Sequence, residues 1–274
     1  SYGAYKLLPR DSADIEDITV FGDIQSISFP FGWSIFSTYI DPFNPLMDEI
    51  FTPIVSDITL IKNGAGQVYW PAFFLNAIGN ITIGAGYQIN LSNANSIDIV
   101  GTQVVPETTI FQIPLGWSII GYLRNSPGDA VAMFTPIASQ IVLCKDGNGQ
   151  VYWPLYGLNM IGNLIPGQGY QMNMSTAQSF SYPANGPFAK SNAINYSPSY
   201  YNLNMNTGSN MTLGIPTTAW STAPNIGDEV GVFTNSGLLV GSAVYTNNNM
   251  AIAIWGSNDY SESAMETGAQ FVIK

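Results

Sequence analysis

Apolar residues along this chain alternate with small or polar ones, or gather in short runs closed by Gly, Asn, Asp or Pro. That rhythm predicts strands rather than amphipathic helices. Met250, Ile252 and Ile254 interleave with Ala251, Ala253 and Trp255, which gives one strand two distinct faces. The runs Ile58 to Ile61 and Ile141 to Cys144 each lead through a Lys into a Gly-rich tetrad, Asn63-Gly64-Ala65-Gly66 or Asp146-Gly147-Asn148-Gly149, and then into Gln-Val-Tyr-Trp-Pro. The pattern predicts a hairpin whose Asn-Gly or Asp-Gly supplies positive φ. Trp70-Pro71 and Trp153-Pro154 should end its second strand, because proline donates nothing to a ladder and restricts the residue before it. The Leu-Asn-x-Ile-Gly-Asn that follows reads as a single helical turn. The predicted class is all-β.

These landmarks occur twice. The stretch from Phe51 to Leu91 returns without a gap from Phe134 to Met174, 83 residues later, with 25 of 41 positions identical. A second landmark opens each copy, Phe31-Gly32-Trp33-Ser34-Ile35 and Leu115-Gly116-Trp117-Ser118-Ile119, so the first copy carries one extra residue, placed in the loop around Asp41 to Asp48. A period this long makes each copy a small domain rather than one coil of a solenoid. The expected architecture is therefore a tandem of small β-sandwich or β-barrel-like modules: two homologous repeats at 30–110 and 111–190, and a third, distinct β module at 191–274. Residues 1–29 precede them. Within that segment Asp17 to Gly22 resembles the end of the first repeat around Asp98 to Gly101, which predicts the closing strand of a preceding unit. The strand-like Phe271 to Lys274 predicts that more sequence follows.

Composition narrows the function classes. With seven Lys and Arg against 18 Asp and Glu, and only 9% of residues charged, the chain cannot neutralise a phosphate backbone, so no nucleic-acid partner is expected. No apolar run approaches the length of a membrane span. A sparsely charged, Asn-, Ser-, Thr- and Gly-rich β chain fits an extracellular or cell-surface location, with a virion as the alternative. The single cysteine, Cys144, replaces Ile61 of the first copy and reads as a small buried hydrophobe, and one cysteine permits no intrachain disulfide.

The chain has no histidine, which removes the usual general base, the Ser-His-Asp and Cys-His arrangements and most catalytic zinc sites. The adjacent carboxylate pairs Glu16-Asp17, Asp48-Glu49 and Asp228-Glu229 would point to opposite faces of a strand, which makes poor catalytic dyads. No enzyme is expected. Gly84-Ala85-Gly86 and Gly167-Gln168-Gly169 read as bends needing positive φ, not as phosphate loops. Calcium is the one cofactor the composition leaves open, through the Asp146 turn or the cluster Asp228, Glu229, Asp259 and Glu262. Asn63 at the position of Asp146 argues for a turn instead. Flat rings on a β surface hold sugars through stacking and burial, and Tyr69, Tyr152 and Trp255 are the candidate contacts. Against this, large rings that recur in both copies, Trp33 and Trp117 among them, more often plug the cores of small domains.

At these landmarks the chain resembles a repeat of secreted and cell-surface proteins of bacteria and archaea, most closely the form in large Bacteroidetes surface proteins and some marine phage structural proteins. The third module, with GDEVGVF, LVGSAVY and MAIAIWG, is similar to a domain that accompanies those repeats. The resemblance implies no catalytic residues. The expected function is a non-catalytic structural or adhesive surface protein that self-assembles, with copies of itself or other surface proteins joined by strand addition at free edges such as the C-terminal one. The alternative is a carbohydrate- or receptor-binding module of an adhesin or phage fibre, with a polysaccharide or host receptor as partner.

Overall fold

The strand rhythm is realised throughout. The computed structural model describes residues 2–6, 19–184, 197–257 and 264–274, and these build an all-β protein with two short α-helices. Up to Gln103 the elements are β1 (Tyr2–Lys6), β2 (Thr19–Phe29), β3 (Gly32–Phe36), β4 (Ile40–Pro42), α1 (Met47–Phe51), β5 (Ile58–Asn63), β6 (Val68–Trp70), β7 (Leu75–Asn76), β8 (Tyr87–Leu91) and β9 (Asn95–Gln103). The next stretch gives β10 (Phe111–Ile113), β11 (Gly116–Gly121), β12 (Gly128–Asp129), α2 (Ala130–Phe134), β13 (Ile141–Lys145), β14 (Val151–Trp153), β15 (Leu158–Asn159), β16 (Asn163–Leu164), β17 (Gly169–Met174) and β18 (Gln178–Phe180). The last gives β19 (Asn210–Ile215), β20 (Glu229–Thr234), β21 (Leu239–Val244), β22 (Met250–Trp255) and β23 (Phe271–Ile273).

The two repeated stretches fold alike. Each forms a five-stranded antiparallel sheet, in the order β3-β8-β5-β6-β7 or β11-β17-β13-β14-β15, and in each the opening strand pairs with the closing one, β2 with β9 and β10 with β18. Residues 19–29, placed by the sequence in an N-terminal segment, are thus the first unit's own opening strand. Asp17 and Ile18 lie outside the described residues. Each unit wraps its own core, around Phe36, Phe51, Tyr69 and Tyr87 in the first and Phe134, Tyr152, Tyr170 and Phe180 in the second. Each such ring contributes roughly 2–3 kcal/mol by leaving water.

The repeated sequence has local physical reasons. In Phe-Thr-Pro-Ile the threonine hydroxyl, Thr52 or Thr135, donates to the carbonyl four residues back (Asp48 or Val131), ending the helix where proline opens a 3-10 turn. The hydroxyls of Tyr87 and Tyr170 each accept the amide five residues earlier, Thr82 or Ile165, at 2.8 Å, so the tyrosine of Gly-x-Gly-Tyr clamps its own preceding loop. Two readings need correction. Leu-Asn-x-Ile-Gly-Asn is no helical turn: Asn76 and Asn159 bend the chain by accepting the amides of Gly79 and Gly162, and the helical turn falls earlier, at Pro71–Phe73 and Pro154–Tyr156. In the hairpin the positive φ belongs to the fourth tetrad residue, Gly66 (80°) or Gly149 (79°), not to the Asn-Gly pair.

Gly64 and Gly147 serve a different end. The two units meet face to face about an approximate two-fold axis, and each hairpin tip lies on the other unit's Gly-Trp strand. A Cβ at Gly64 would fall 2.7 Å from the Ile119 amide nitrogen, and one at Gly147 3.4 Å from that of Ile35. Bridges are exchanged reciprocally, Phe36 with Gln168 and Ile120 with Ala85, and so are hydrogen bonds, from the Ser37 amide to the Gly167 carbonyl (2.9 Å) and from the Gly121 amide to the Gly84 carbonyl (2.8 Å). Such a contact is isologous in the sense used for two-fold dimers, here within one chain. The third module then docks on one side. Its strands β19 and β22 pair with each other, β21-β20-β23 form a second sheet, and β23 is an edge strand of that sheet, paired with β20 on one side. Among the described residues no helix is long and apolar enough to cross a membrane.

At the crossing a Cβ on Gly86 would lie 2.7 Å from the Ile120 carbonyl oxygen, and one on Gly169 2.7 Å from that of Phe36. Gly169→Ala should therefore cost about 2–3 kcal/mol, as other overpacking does. Gly256→Ala, whose nearest neighbour would be at 3.6 Å, should cost no more than about 1 kcal/mol. Urea denaturation of the two variants checks this, and equal midpoints would show that the crossing tolerates bulk.

Candidate functional site

Where the rings proposed as ligand contacts sit decides whether they can touch anything. Tyr69, Tyr152 and Trp255 are 3%, 5% and 5% exposed. The two tyrosines pack inside their units against Phe51 and Phe134, and Trp255 lies in the junction beside Gly149. These assignments are corrected: in each Tyr-Trp pair the tyrosine points inward and the tryptophan outward, and the outward ring is the surface candidate. The landmark Trp33 and Trp117 are not core plugs either. Each lies beside a lysine of its own unit, Lys62 Nζ at 4.5 Å from Trp33 and Lys145 Nζ at 4.9 Å from Trp117.

The outer face of β5-β6-β7, and its twin on β13-β14-β15, carries the outward residues. On the second unit the third module covers this face. Leu143, Val151 and Ala251 form a small buried cluster with Trp153, Leu158 and Met160 against it. Gly214 lies flat on Trp153, since a Cβ there would be 2.9 Å from the ring, and Asn249 Nδ2 donates to the Tyr156 carbonyl. Lys145 is buried with its ammonium on Asn210, 3.0 Å from the carbonyl and 3.1 Å from Oδ1, and burial lowers its pKa to about 8. The module also reaches across the axis to Trp33, where Gly208 lies on the indole and Asn206 Nδ2 donates to both the Trp33 and Gly147 carbonyls.

On the first unit the same face is open. Val68 and Trp70 are half-buried, Phe73 stacks edge-on against Trp70 at 4.4 Å while 66% exposed, and Leu75 is exposed. On the second unit Trp117, the twin of the covered Trp33, is 50% exposed. Between Phe73 and Leu75 the backbone turns left-handed, and the residue there is Phe74, at φ 52° and 99% exposed; the twin position is Gly157, at φ 62°. A bulky residue in that conformation is strained by roughly 1–2 kcal/mol. No charged residue occurs between Lys62 and Asp98. The signal for this face was the aromatic run Tyr-Trp-Pro-Ala-Phe-Phe itself; what the sequence did not carry was that a third module covers one copy and leaves the other open.

The carboxylates are tied into turns. Asp57 accepts Asn93 and Asn95, Asp129 caps α2, and Asp228 accepts the Asn225 amide. Glu229 gathers the amides of Ser199, Tyr200 and Tyr201, which hold its pKa down to about 2. Asp146 accepts the amides of Asn148 and Gln150, as Asn63 accepts those of Ala65 and Gln67. The shared element at that position is a side-chain cap on the turn. Asp259 and Glu262 of the acidic cluster lie outside the described residues, and among the described residues no three His, Cys, Asp or Glu gather at metal-binding range. Cys144 is fully buried and its thiol is pushed well up by that burial. No family model, no curated protein and no solved structure matches the chain.

Burial raises the pKa of Asp146 from 3.8 to about 6, the turn amides only partly opposing it. A carboxyl whose folded pKa exceeds its unfolded one destabilises the fold when ionised, so this cost is complete above about pH 6 and vanishes as pH falls below the unfolded value. Asp146→Asn, which installs the first unit's cap, should therefore stabilise by about 1–2 kcal/mol at pH 8 and by almost nothing at pH 3.5. Urea midpoints at the two pH values measure this, and an equal gain at both would reject the charge account.

Proposed function

We propose that the protein is a non-catalytic structural or adhesive component of an extracellular surface, in a cell envelope or a virion, that associates with copies of itself through the open face of its first unit. The supporting observation is the asymmetry between two equivalent faces: the third module covers Val151, Trp153 and Leu158 of one, leaving Leu155 and Tyr156 at its rim exposed, whereas the other leaves Trp70, Phe73, Phe74 and Leu75 to solvent. Exposed apolar surface of this kind marks an interaction site. A chain of net charge −11 repels its copies, and the segment from Asn63 to Ile97 adds no charge to this face, whose nearest charges are Lys62 on β5 and the Asp48 carboxylate at Asn76. The strained Phe74 fits the same reading, because its ring is held out where a glycine would relieve the backbone. The turn-capping duties of Asp57, Asp129, Asp146, Asp228 and Glu229 support the non-catalytic part.

Size-exclusion chromatography with light scattering over a range of concentrations tests this. The wild type should associate. Phe74→Gly should weaken association about tenfold or more while raising stability by about 1 kcal/mol, because the left-handed turn is relieved. A wild type that stays monomeric into the millimolar range, or unchanged association in the Phe73→Ser, Phe74→Gly double variant, would overturn the reading.

A further inference from the structure

The approximate two-fold axis predicts two equivalent spaces, each between the opening strands of one unit and the loop preceding Gly-x-Gly-Tyr of the other. One is filled. A Cβ at Gly84 would fall 2.5 Å from the Phe111 ring, and Phe111 packs with Ile83 against the second unit's core. The twin of Phe111 is Ile27. At Gly167, the twin of Gly84, the nearest atoms to a Cβ would be Gln25 Nε2 at 3.4 Å and Ile27 Cγ1 and Cγ2 at 3.7 and 3.9 Å. The smaller side chain leaves a groove of about 290 Å³ between β2–β3 and the Asn148 and Ile165–Gln168 loops.

We propose that this groove binds a single neutral sugar ring. Its lining holds no Lys, Arg, Asp or Glu, so neither an anion nor a cation finds a counter-charge there. Ile27, Pro30 and Pro166 supply apolar walls, and Ser28, Asn148 and Gln168 supply hydrogen-bonding groups, the mixture that suits a ring with an apolar face and a rim of hydroxyls. Gln25 adds a second, independent observation. It lies two residues before Ile27 on the same face of β2 and is 2% exposed. Its Oε1 is fixed by the Thr38 hydroxyl at 2.9 Å and the Tyr39 amide at 3.0 Å. Its Nε2 has no hydrogen-bond partner and lies behind Gly167, a residue of the groove lining. A buried donor left unpaired costs about 1–3 kcal/mol, and a small shift of the Gly167 loop would bring it to a sugar hydroxyl at that end of the groove. In the filled twin the corresponding residue is Thr109, whose hydroxyl donates to the Val105 carbonyl. The donor and the space therefore occur together, on the same side of the axis.

The test is saturation-transfer NMR of the full chain with the methyl pyranosides of glucose, galactose, mannose and N-acetylglucosamine. At least one should bind with a Kd on the order of millimolar, as expected of one ring in a half-open groove. Ile27→Phe installs the twin's side chain, so it should keep the melting temperature and lose binding about tenfold or more. Should that variant fail to fold, Asn148→Ala at the exposed hairpin tip carries the test, with an expected loss of about threefold. No binding by any of the four glycosides, or binding that persists unchanged in a folded Ile27→Phe or Asn148→Ala protein, overturns the proposal. Neither variant touches the open face of the first unit, so the oligomeric state reports separately on self-association.

Discussion

The close approach of backbone to backbone at Gly86 and Gly169 is the constraint on which the arrangement depends. The second glycine of each Gly-x-Gly-Tyr lies against a carbonyl of the other unit, Ile120 or Phe36, at a separation that leaves no room for a methyl group. Everything nearby follows from that proximity. The bridges Phe36 to Gln168 and Ile120 to Ala85 form because the strands can touch there, and the hairpin tips reach the opposite Gly-Trp strands because the units sit that close. The first glycine has a separate task, a left-handed bend at φ 86° or 84°, and the tyrosine a third, clamping the loop by its hydroxyl. Four residues thus encode a bend, an interface and an anchor.

A symmetric pair of units would have two equal outer faces, and the third module removes that equality. It settles on the second unit with a surface of Gly and Ala, Gly214 on Trp153 and Ala251 in the cluster with Leu143 and Val151. Small residues let a sheet lie flat on a tryptophan. Lys145 follows its twin Lys62 in lying beside a tryptophan but is buried on Asn210, so the same sequence element becomes a surface cation in one unit and a desolvated docking group in the other.

Much of the local structure was legible in the chain. The all-β class, the repeat, the hairpins and the ends of their strands at Trp-Pro follow from alternation and proline chemistry, which act over a few residues. The burial of Cys144 followed from Ile61 in its place. What was not legible depends on distance. Gly64 and Gly147 read as turn glycines because turns are the commonest reason for Asn-Gly, whereas their reason lies across the axis at Ile119 and Ile35. Tyr69 and Tyr152 read as surface rings because alternation tells that one of two neighbours faces inward without telling which. Trp33 and Trp117 share one sequence context and differ in exposure only because Gly208 reaches one of them.

Where the two copies differ, the differences have physical meaning when placed on the axis. Gly157 takes the left-handed turn without strain and stands in open space. Phe74 stands at the same turn, 99% exposed among the described residues. Phe111 fills a space that Ile27 leaves open. Asp146 caps a hairpin packed beneath the third module, where its charge is costly, while Asn63 caps the exposed one without charge. In the first two pairs the first unit carries the residue that leaves a ring or a cavity available. The third module rests mainly on the second unit and reaches the first at Trp33 and Gln88.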